Sequence, residues 1–369
     1  MATRANHELV TVANYSDDFK TDISGNSVVI FQSMTPWSIF SGLSIADDIP
    51  VLFWNCHPSN LVAMLPGFRN SNISHSNVLS QISAIVLKPF RTKLTKFVKH
   101  LLDSNALVFM DHENVKSTEE SVGFVIDNPV FIPIPAERKE IRTVVARENG
   151  GTLHFCWIGR VVNFKYFILK RLLDDLSKLA CDSSIKFKMT IVGDGSHLPQ
   201  LKAHCNKINT YNVNFVAHLE ESSLDSFLVN DVDVLFAMGT SALEGAKYGV
   251  PTILLDIAYS DVPATYIYRW LHSRDGSTLG DTLRSFNNEG SSYQSLKLLM
   301  DEFLDEEEAV SQRTYAYFEK NHSMEEISVR LLDALGESRC MWGDLKSKGL
   351  LSRGLIYPLF KKIKRIIKR

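Results

Sequence analysis

Residues 232–256 carry the pattern that decides the fold, and they read Val-Asp-Val-Leu-Phe-Ala-Met-Gly-Thr-Ser-Ala-Leu-Glu-Gly-Ala-Lys-Tyr-Gly-Val-Pro-Thr-Ile-Leu-Leu-Asp. The pattern predicts a buried strand, a tight turn of small residues, a short helix and a second buried strand. The turn Gly239–Thr240–Ser241 opens the helix, whose first N–H groups have no partner within it. Glu244 follows one turn later. The stretch suits an anion with a carboxylate beside it, and it equally suits an ordinary capped helix.

The residues upstream of this stretch alternate between apolar runs and helical patterns. Strands are predicted at 153–158, 187–192 and 213–216, and helices at 164–180, 197–207 and 222–229. Strands and helices that alternate at this spacing predict a parallel, doubly wound sheet.

Chemically distinctive residues follow the first two of these strands. Arg160 and Lys165 come after 153–158, and Gly193 and Gly195 come after 187–192. Ligands of such sheets bind outside the carboxyl ends of the strands, so we expect these residues to line one crevice. Arg and Lys both bind anionic oxygens, and the glycines are expected to let a ligand approach the backbone closely.

The first half of the chain has a less regular pattern. Strands are predicted at 8–13, 27–32, 51–55 and 106–110, a basic helix with a solvated face at 91–103, and an edge strand or linker at 129–135. His57 follows the strand at 51–55, where chemistry is possible, although a structural hydrogen bond would explain a loop histidine equally well.

Size and composition limit the class of protein. The chain has 369 residues, enough for two domains, with 45% hydrophobic residues and a formal net charge of -2. This charge argues against nucleic acid as a partner of the whole chain. The five cysteines are scattered without a Cys-x-x-Cys pair, which favours a reducing cytoplasm over a disulfide framework or zinc ribbon. We find neither the apolar core of a signal peptide nor a membrane-spanning run.

The last part of the chain is predicted to be helical. Helices are expected at 291–304, 306–320 and 324–336. Residues Leu345–Arg369 contain nine Lys and Arg and no acidic residue, with apolar residues at helical spacing. This pattern predicts a basic amphipathic helix on an anionic membrane surface. A helix packed on the protein, or one that binds nucleic acid, is the alternative.

Four segments of the second half match one known pattern. They are Trp157-Ile-Gly-Arg160 with Lys165, Thr190-Ile-Val-Gly-Asp-Gly195, Val213-Asn-Phe-Val-Ala-His218, and Ala242-Leu-Glu-Gly-Ala-Lys-Tyr-Gly-Val-Pro251. Over residues 150–260 the chain resembles the nucleotide-sugar-binding domain of GT-B glycosyltransferases, in particular the group 1 (family 4) type. The resemblance implies an α/β fold with two Rossmann-like domains that face a central cleft. The domains would be an acceptor-side domain at 1–140 and a nucleotide-sugar domain at 150–336, followed by the helix at 345–369.

The resemblance also implies roles for individual residues. Arg160 and Lys165 would bind the donor diphosphate and stabilise the leaving group. Glu244 would hold the ribose, and the loop that contains His218 would hold the base. The other donor-binding positions would be glycines and hydroxyls at the strand ends, namely Gly193, Gly195, Gly239, Thr240 and Ser241. The family usually needs no metal, and no cofactor is expected beyond the nucleotide-diphosphate sugar itself.

One position departs from the family pattern. Group 1 members carry a second glutamate eight residues before the one matched by Glu244, and here that position is Phe236. The glutamate lies near the donor sugar in the family, so both the sugar and the stereochemical outcome are open. An inverting enzyme needs a general base on the first domain, and His57 is the candidate. In a retaining enzyme His57 would instead orient the donor sugar or the acceptor.

The implied activity is transfer of a sugar from a nucleotide-diphosphate sugar to a glycan or lipid-linked acceptor in cell-surface polysaccharide synthesis. Such an enzyme would be cytoplasmic and peripheral on the cytoplasmic face of the membrane. A nucleotide-sugar epimerase of the same fold and a non-catalytic nucleotide-sugar-binding partner are the alternatives, because fold analogy does not separate them.

Overall fold

The computed structural model describes most of the chain and divides it into two compact units. The described residues are 21–32, 43–57, 60, 91–144, 151–183, 185–274, 276–283 and 291–351. Unit 1 consists of Met1–Pro133 with Ile327–Arg369, and unit 2 consists of Ile134–Glu326. Each unit is an α/β structure, as the sequence predicts.

The helices and strands follow one another in both units. The strands are β1 Thr21–Ile23, β2 Val29–Phe31, β3 Leu43–Ile45, β4 Val51–Asn55, β5 Leu107–Phe109, β6 Leu153–Ile158, β7 Phe187–Val192, β8 Asn212–Val216, β9 Val234–Ala237, β10 Thr252–Leu254 and β11 Arg269–Trp270. The helices are α1 over 91–103, α2 His112–Val122, α3 Asn163–Asp182, α4 Leu198–Cys205, α5 Glu221–Asn230, α6 Ser241–Ala246, α7 Ser292–His322, α8 Met324–Glu337 and α9 Trp342–Ser347.

Unit 2 is built on a six-stranded sheet in the order β11-β10-β9-β6-β7-β8. All neighbours are parallel except β10 and β11. Parallel sheets carry helices on their faces, so their strands read as continuous apolar runs, and every residue of β6 is buried. The predicted parallel, doubly wound sheet is therefore confirmed. Its order is that of the dinucleotide-binding α/β folds, whose switch point lies between the first and fourth strands, here β6 and β9.

The long helix α7 agrees with the prediction of two helical segments at 291–304 and 306–320, because it is interrupted between them. It runs through both segments, and Glu306 has a non-helical backbone (φ -136°, ψ 41°) at the kink. The buried residues Leu296, Met300, Phe303 and Val310 lie on both sides of the kink and belong to one core. The kink lets both segments of α7 keep their apolar sides on that core.

Unit 1 contains a three-stranded parallel sheet in the order β2-β4-β5 and a parallel pair, β1 with β3. Its core packs Phe53 against Phe97 of α1 at 5.2 Å between ring centroids. The helix α2 lies between the predicted strand at 106–110 and the segment at 129–135, where no helix is predicted. Asp111 caps it, because its side chain accepts a hydrogen bond from the Asn114 N–H at 2.9 Å.

The C-terminal part departs from the predicted helix at Leu345–Arg369. The helix α9 ends at Ser347, and Gly349 has a positive φ of 63°. Leu345 and Leu350 are buried in the core of unit 1, so the first residues of the predicted membrane helix pack on the protein. Residues 352–369 lie outside the described residues.

The unit boundaries also differ from the predicted domains. Unit 1 takes in most of α8, which the prediction assigned to a domain ending at 336. Just past this helix the Ser338 hydroxyl donates to the Val51 carbonyl at 2.9 Å, and the Arg339 N–H donates to the Ser104 carbonyl at 2.8 Å. Over the described part of the chain, no helix has the length and hydropathy needed to cross a membrane.

Candidate functional site

The carboxyl ends of β6 and β9 form the switch point of the unit 2 sheet, and two of the predicted site residues meet there. A side chain at Gly159, directly after β6, would lie 3.1 Å from Lys165 Nζ and 3.6 Å from Ser241 Oγ. Lys165 comes from the first turn of α3 and Ser241 from the start of α6. The structure thus brings an ammonium group and a hydroxyl to one point above the sheet, as the strand-end rule predicts.

The electrostatics of this point favour an anion. Burial, and after it the charge of Arg160, lowers the pKa of Lys165 to about 8. Arg160 is exposed beside it. Across the described ranges, no carboxylate forms a salt bridge with Lys165 or Arg160. Two neighbouring cations without a carboxylate partner repel each other, and a bound anion would relieve that repulsion.

The ammonium group of Lys165 packs over the ring of Trp157. The ammonium lies 5.5 Å from the ring centroid, within the range of a cation–π contact. The indole N–H of Trp157 donates to the Gly159 carbonyl at 3.2 Å. These contacts fix the position of the lysine without neutralising its charge.

The glycines after β7 allow one loop to pack closely on the next, and their contact with a donor stays a prediction. A Cβ at Gly193 would lie 2.1 Å from the Gly159 carbonyl oxygen, and one at Gly195 would lie 2.3 Å from the Val161 carbonyl oxygen. The Gly193 N–H donates to the Val216 carbonyl at 2.8 Å, and the Gly195 N–H to the Asp194 side chain at 2.7 Å. Both glycines shape the loop that carries Arg160.

The turn Gly239–Thr240–Ser241 has open space at its first residue. Gly239 has a φ of 64°, and a Cβ there would meet no atom within 4 Å. Thr240 is exposed and makes no capping hydrogen bond. The segment around Leu279, beside this turn, matches no sequence motif and was therefore not predicted. The Gly239 N–H donates to the Leu279 carbonyl of that segment at 2.7 Å.

Glu244 is paired with a buried lysine. Its Oε2 accepts a hydrogen bond from Lys247 Nζ at 2.7 Å, and the same ammonium lies 3.2 Å from Asp225 Oδ1 of α5. Lys247 belongs to the motif at residues 242–251, which assigns it no role. Its side chain is buried, which the sequence does not reveal.

The two predicted histidines lie in different units. His218 follows β8, and its Nε2 lies 3.5 Å from Glu220 Oε1, with both side chains mostly exposed. His57 follows β4 in unit 1 and is exposed, and its carbonyl accepts the Asn60 N–H at 2.9 Å. A base-binding role for the His218 loop and a catalytic role for His57 remain predictions. Within the described ranges, His, Cys, Asp and Glu side chains form no group of three able to hold a metal ion.

Comparisons with known proteins find similarity only among solved structures. No family model matches the chain, and no curated protein does so either. The similar structures are glycosyltransferases, the class that the motifs resemble.

One similar structure is apo WaaB, a lipopolysaccharide outer core galactosyltransferase, at 11% identity and a TM-score of 0.43 over 86% of this chain and 99% of that one. A second is WaaG, a glycosyltransferase involved in lipopolysaccharide biosynthesis, at 13% identity and a TM-score of 0.39 over 62% of this chain and 61% of that one. A mutant of S. aureus TarM, in complex with Fondaparinux, alpha-GlcNAc-glycerol and UDP, aligns at 12% identity and a TM-score of 0.44. The alignment covers 80% of this chain and 51% of that one. The chain thus spans about half the length of the TarM structure.

Proposed function

We propose that this chain is a glycosyltransferase that binds a nucleotide-diphosphate sugar at the carboxyl ends of β6 and β9. The observation that supports the proposal most is the pair of neighbouring cations, Arg160 and Lys165, which have no carboxylate partner among the described residues. Lys165 also lies beside the Ser241 hydroxyl at the switch point. A diphosphate is a ligand that such a pair suits, because both cations can bind its oxygens.

The reaction would break the bond between the sugar C1 and the diphosphate oxygen and form a bond from C1 to an acceptor hydroxyl oxygen. Negative charge grows on the diphosphate as it leaves, and Arg160 and Lys165 would stabilise it. Glu244 would accept hydrogen bonds from the ribose, and Thr240 and Ser241 would donate to the phosphates. The acceptor proton would pass to His57 if the enzyme inverts, or to the leaving phosphate if it retains. We propose no metal and no further cofactor.

The acceptor side of the proposal is a glycan or lipid-linked acceptor in cell-surface polysaccharide synthesis at the cytoplasmic face of the membrane. The basic sequence Leu345–Arg369 supports it, since Lys and Arg beside apolar residues attract anionic lipids. Replacing Lys361, Lys362, Lys364 and Arg365 with Glu is expected to release the protein from anionic vesicles in a flotation assay. Unchanged binding would rule out the membrane part alone.

Binding of nucleotide sugars tests the proposal as a whole. A panel of UDP-, GDP-, ADP- and dTDP-sugars and the free diphosphates is measured by thermal shift and calorimetry. Arg160→Ala and Glu244→Ala are each expected to weaken the best ligand about tenfold or more, the loss of one hydrogen bond to a charged group. Arg138→Ala and Glu319→Ala, a surface ion pair of unit 2, are the matched controls. If no ligand binds, or if the site variants bind like the controls, the proposal fails.

Turnover separates the glycosyltransferase from its two alternatives. An epimerase would change the sugar with the donor alone, which NMR of the sugar detects. A non-catalytic partner would bind the diphosphate and turn over nothing, even with a full set of acceptors. A glycosyltransferase is expected to release the nucleoside diphosphate in proportion to an added acceptor, and to do so equally in the presence of EDTA.

A further inference from the structure

Lys247, at the end of α6, is a buried cation held by two carboxylates. Its side chain is only 8% exposed, and its ammonium lies 2.7 Å from Glu244 Oε2 and 3.2 Å from Asp225 Oδ1. The ring centroid of Tyr248 lies 5.3 Å from the same nitrogen. A buried ammonium is costly unless it is paired, and here all three contacts compensate for its burial.

The charge of Lys247 persists in this setting. Burial by itself lowers the pKa of Lys247, but the hydrogen bond and charge of Glu244, followed by those of Asp225, outweigh it and raise the pKa overall. A permanently charged lysine orders the carboxylate that it contacts, because the desolvated pair has few other arrangements.

The pairing with Lys247 engages only one of the two oxygen atoms of the Glu244 carboxylate. Oε2 is taken by Lys247, whereas Oε1 has no protein partner among the residues that the structure describes. The Glu244 side chain is 37% exposed, so a ligand can reach it. An exposed glutamate normally samples several rotamers, and an ion pair with a buried lysine restricts them.

We propose that Lys247 is a positioning residue of the donor site, which holds the Glu244 carboxylate so that Oε1 accepts a hydrogen bond from a ribose hydroxyl. The inference rests on the proposed function, since it needs a nucleoside diphosphate above α6. Lys247 itself touches no ligand and acts through Glu244. Its contact with Asp225 ties α5 to α6, so the carboxylate is fixed to two helices rather than to one.

A surface ion pair in the same unit provides a control lysine that lies outside the proposed donor site. Lys297 and Asp301 lie 2.7 Å apart on α7, with side chains 42% and 45% exposed. Such a pair contributes little and holds nothing else in place. Lys297→Met is therefore the matched control for Lys247→Met.

The test compares ribose with deoxyribose. Dissociation constants are measured by calorimetry for UDP, 2′-deoxy-UDP and 3′-deoxy-UDP, and for the GDP series. The wild-type protein is expected to prefer the ribose form about tenfold or more over at least one deoxy form, as a hydrogen bond to a charged acceptor implies. Lys247→Met is expected to reduce this preference to about twofold or less, whereas Lys297→Met keeps it. Lys247→Arg, which keeps a cation between both carboxylates, is expected to retain most of the preference.

If Lys247 had a merely structural role, its replacement would only lower the amount of folded protein. The ratio of two affinities does not depend on that amount. If Lys247→Met is too unstable to purify, Asp225→Asn/Lys247→Met carries the same comparison, because it also removes the second carboxylate. A full ribose preference in these variants would overturn the inference and leave the proposed function intact. A wild-type protein that binds UDP or GDP without any ribose preference would do the same. If the wild-type protein binds no nucleoside diphosphate, the proposed function fails and the inference falls with it.

Discussion

Gly193→Ala tests whether the two strand-end loops of the site depend on close backbone contact. Gly193 has a φ of 142°, and a Cβ there would lie 2.1 Å from the Gly159 carbonyl oxygen and 2.8 Å from its carbonyl carbon. Favourable contacts between heavy atoms begin at about 3.5 Å, so the loops after β6 and β7 must move apart by more than about 1 Å. The obstacle is backbone, which cannot rotate away as a side chain can.

The expected cost has two parts. A non-glycine residue in this backbone region costs about 1–3 kcal/mol, and a steric insertion into a packed region costs about as much again. The free energy of unfolding should fall by about 4 kcal/mol, out of a total of about 5–15 kcal/mol for a typical protein. For a domain of this size that lowers Tm by about 8–16 °C. Because the displaced loop carries Arg160, nucleotide affinity should also fall.

Gly239→Ala is the matched control for this prediction. Gly239 also has a positive φ, 64°, but a Cβ there would meet no atom within 4 Å. It should therefore cost only the left-handed conformation, about 1–2 kcal/mol. Thermal unfolding followed by circular dichroism, together with calorimetric binding, measures both variants. Equal Tm values for Gly193→Ala and Gly239→Ala would refute the reasoning, because the two differ mainly in the clash.

Two further predictions concern charge. Because the pKa of Lys165 is lowered to about 8, diphosphate affinity should be level below pH 7 and fall about tenfold per unit above pH 8, where the ammonium is lost. In the unliganded protein the same depressed pKa makes stability rise between pH 8 and the ordinary value of 10.5, since the unfolded chain then binds more protons. Lys165→Arg should flatten the affinity profile measured by calorimetry from pH 6.5 to 9.5, and a flat wild-type profile would contradict the assignment. Phe236→Glu should abolish cooperative unfolding, because Phe236 is fully buried against Phe155 and an unpaired buried carboxylate costs several kcal/mol. Phe236→Leu should cost about 1 kcal/mol, and a stable Phe236→Glu protein would show that this position faces solvent.

The sheet of unit 2 was predictable because its strands are buried on both faces. Such strands form uninterrupted apolar runs, and those at 153–158 and 187–192 end in the structure where the sequence ends them. The end of α7 and the start of α8 were likewise separated correctly near Ser323. The helix α2 escaped detection because its sequence, His-Glu-Asn-Val-Lys-Ser-Thr-Glu-Glu-Ser-Val, has few apolar residues to show a helical period.

The site was predictable where topology alone brings residues together. Arg160, Lys165 and Ser241 follow strands that are neighbours in the sheet, so the strand-end rule is enough to group them. Lys247 was not predictable in the same way, because its role depends on burial and on Asp225 of another helix. The requirement for glycine at 193 was also hidden, since the backbone that it contacts lies 34 residues earlier in the chain.

Phe236 shows why a motif spacing cannot be applied without the turn that it spans. Only three residues separate the end of β9 at Ala237 from the start of α6 at Ser241, so counting back eight from Glu244 reaches the interior of the strand. The side chain at that position packs in the core and has no path to a ligand. The short turn thus leaves Glu244 as the carboxylate of this strand-end turn, with Lys247 bound to it. Arg160 and Lys165 are then opposed by fewer negative charges than in the two-glutamate pattern, which favours a doubly charged diphosphate over a neutral sugar as the group that anchors the ligand.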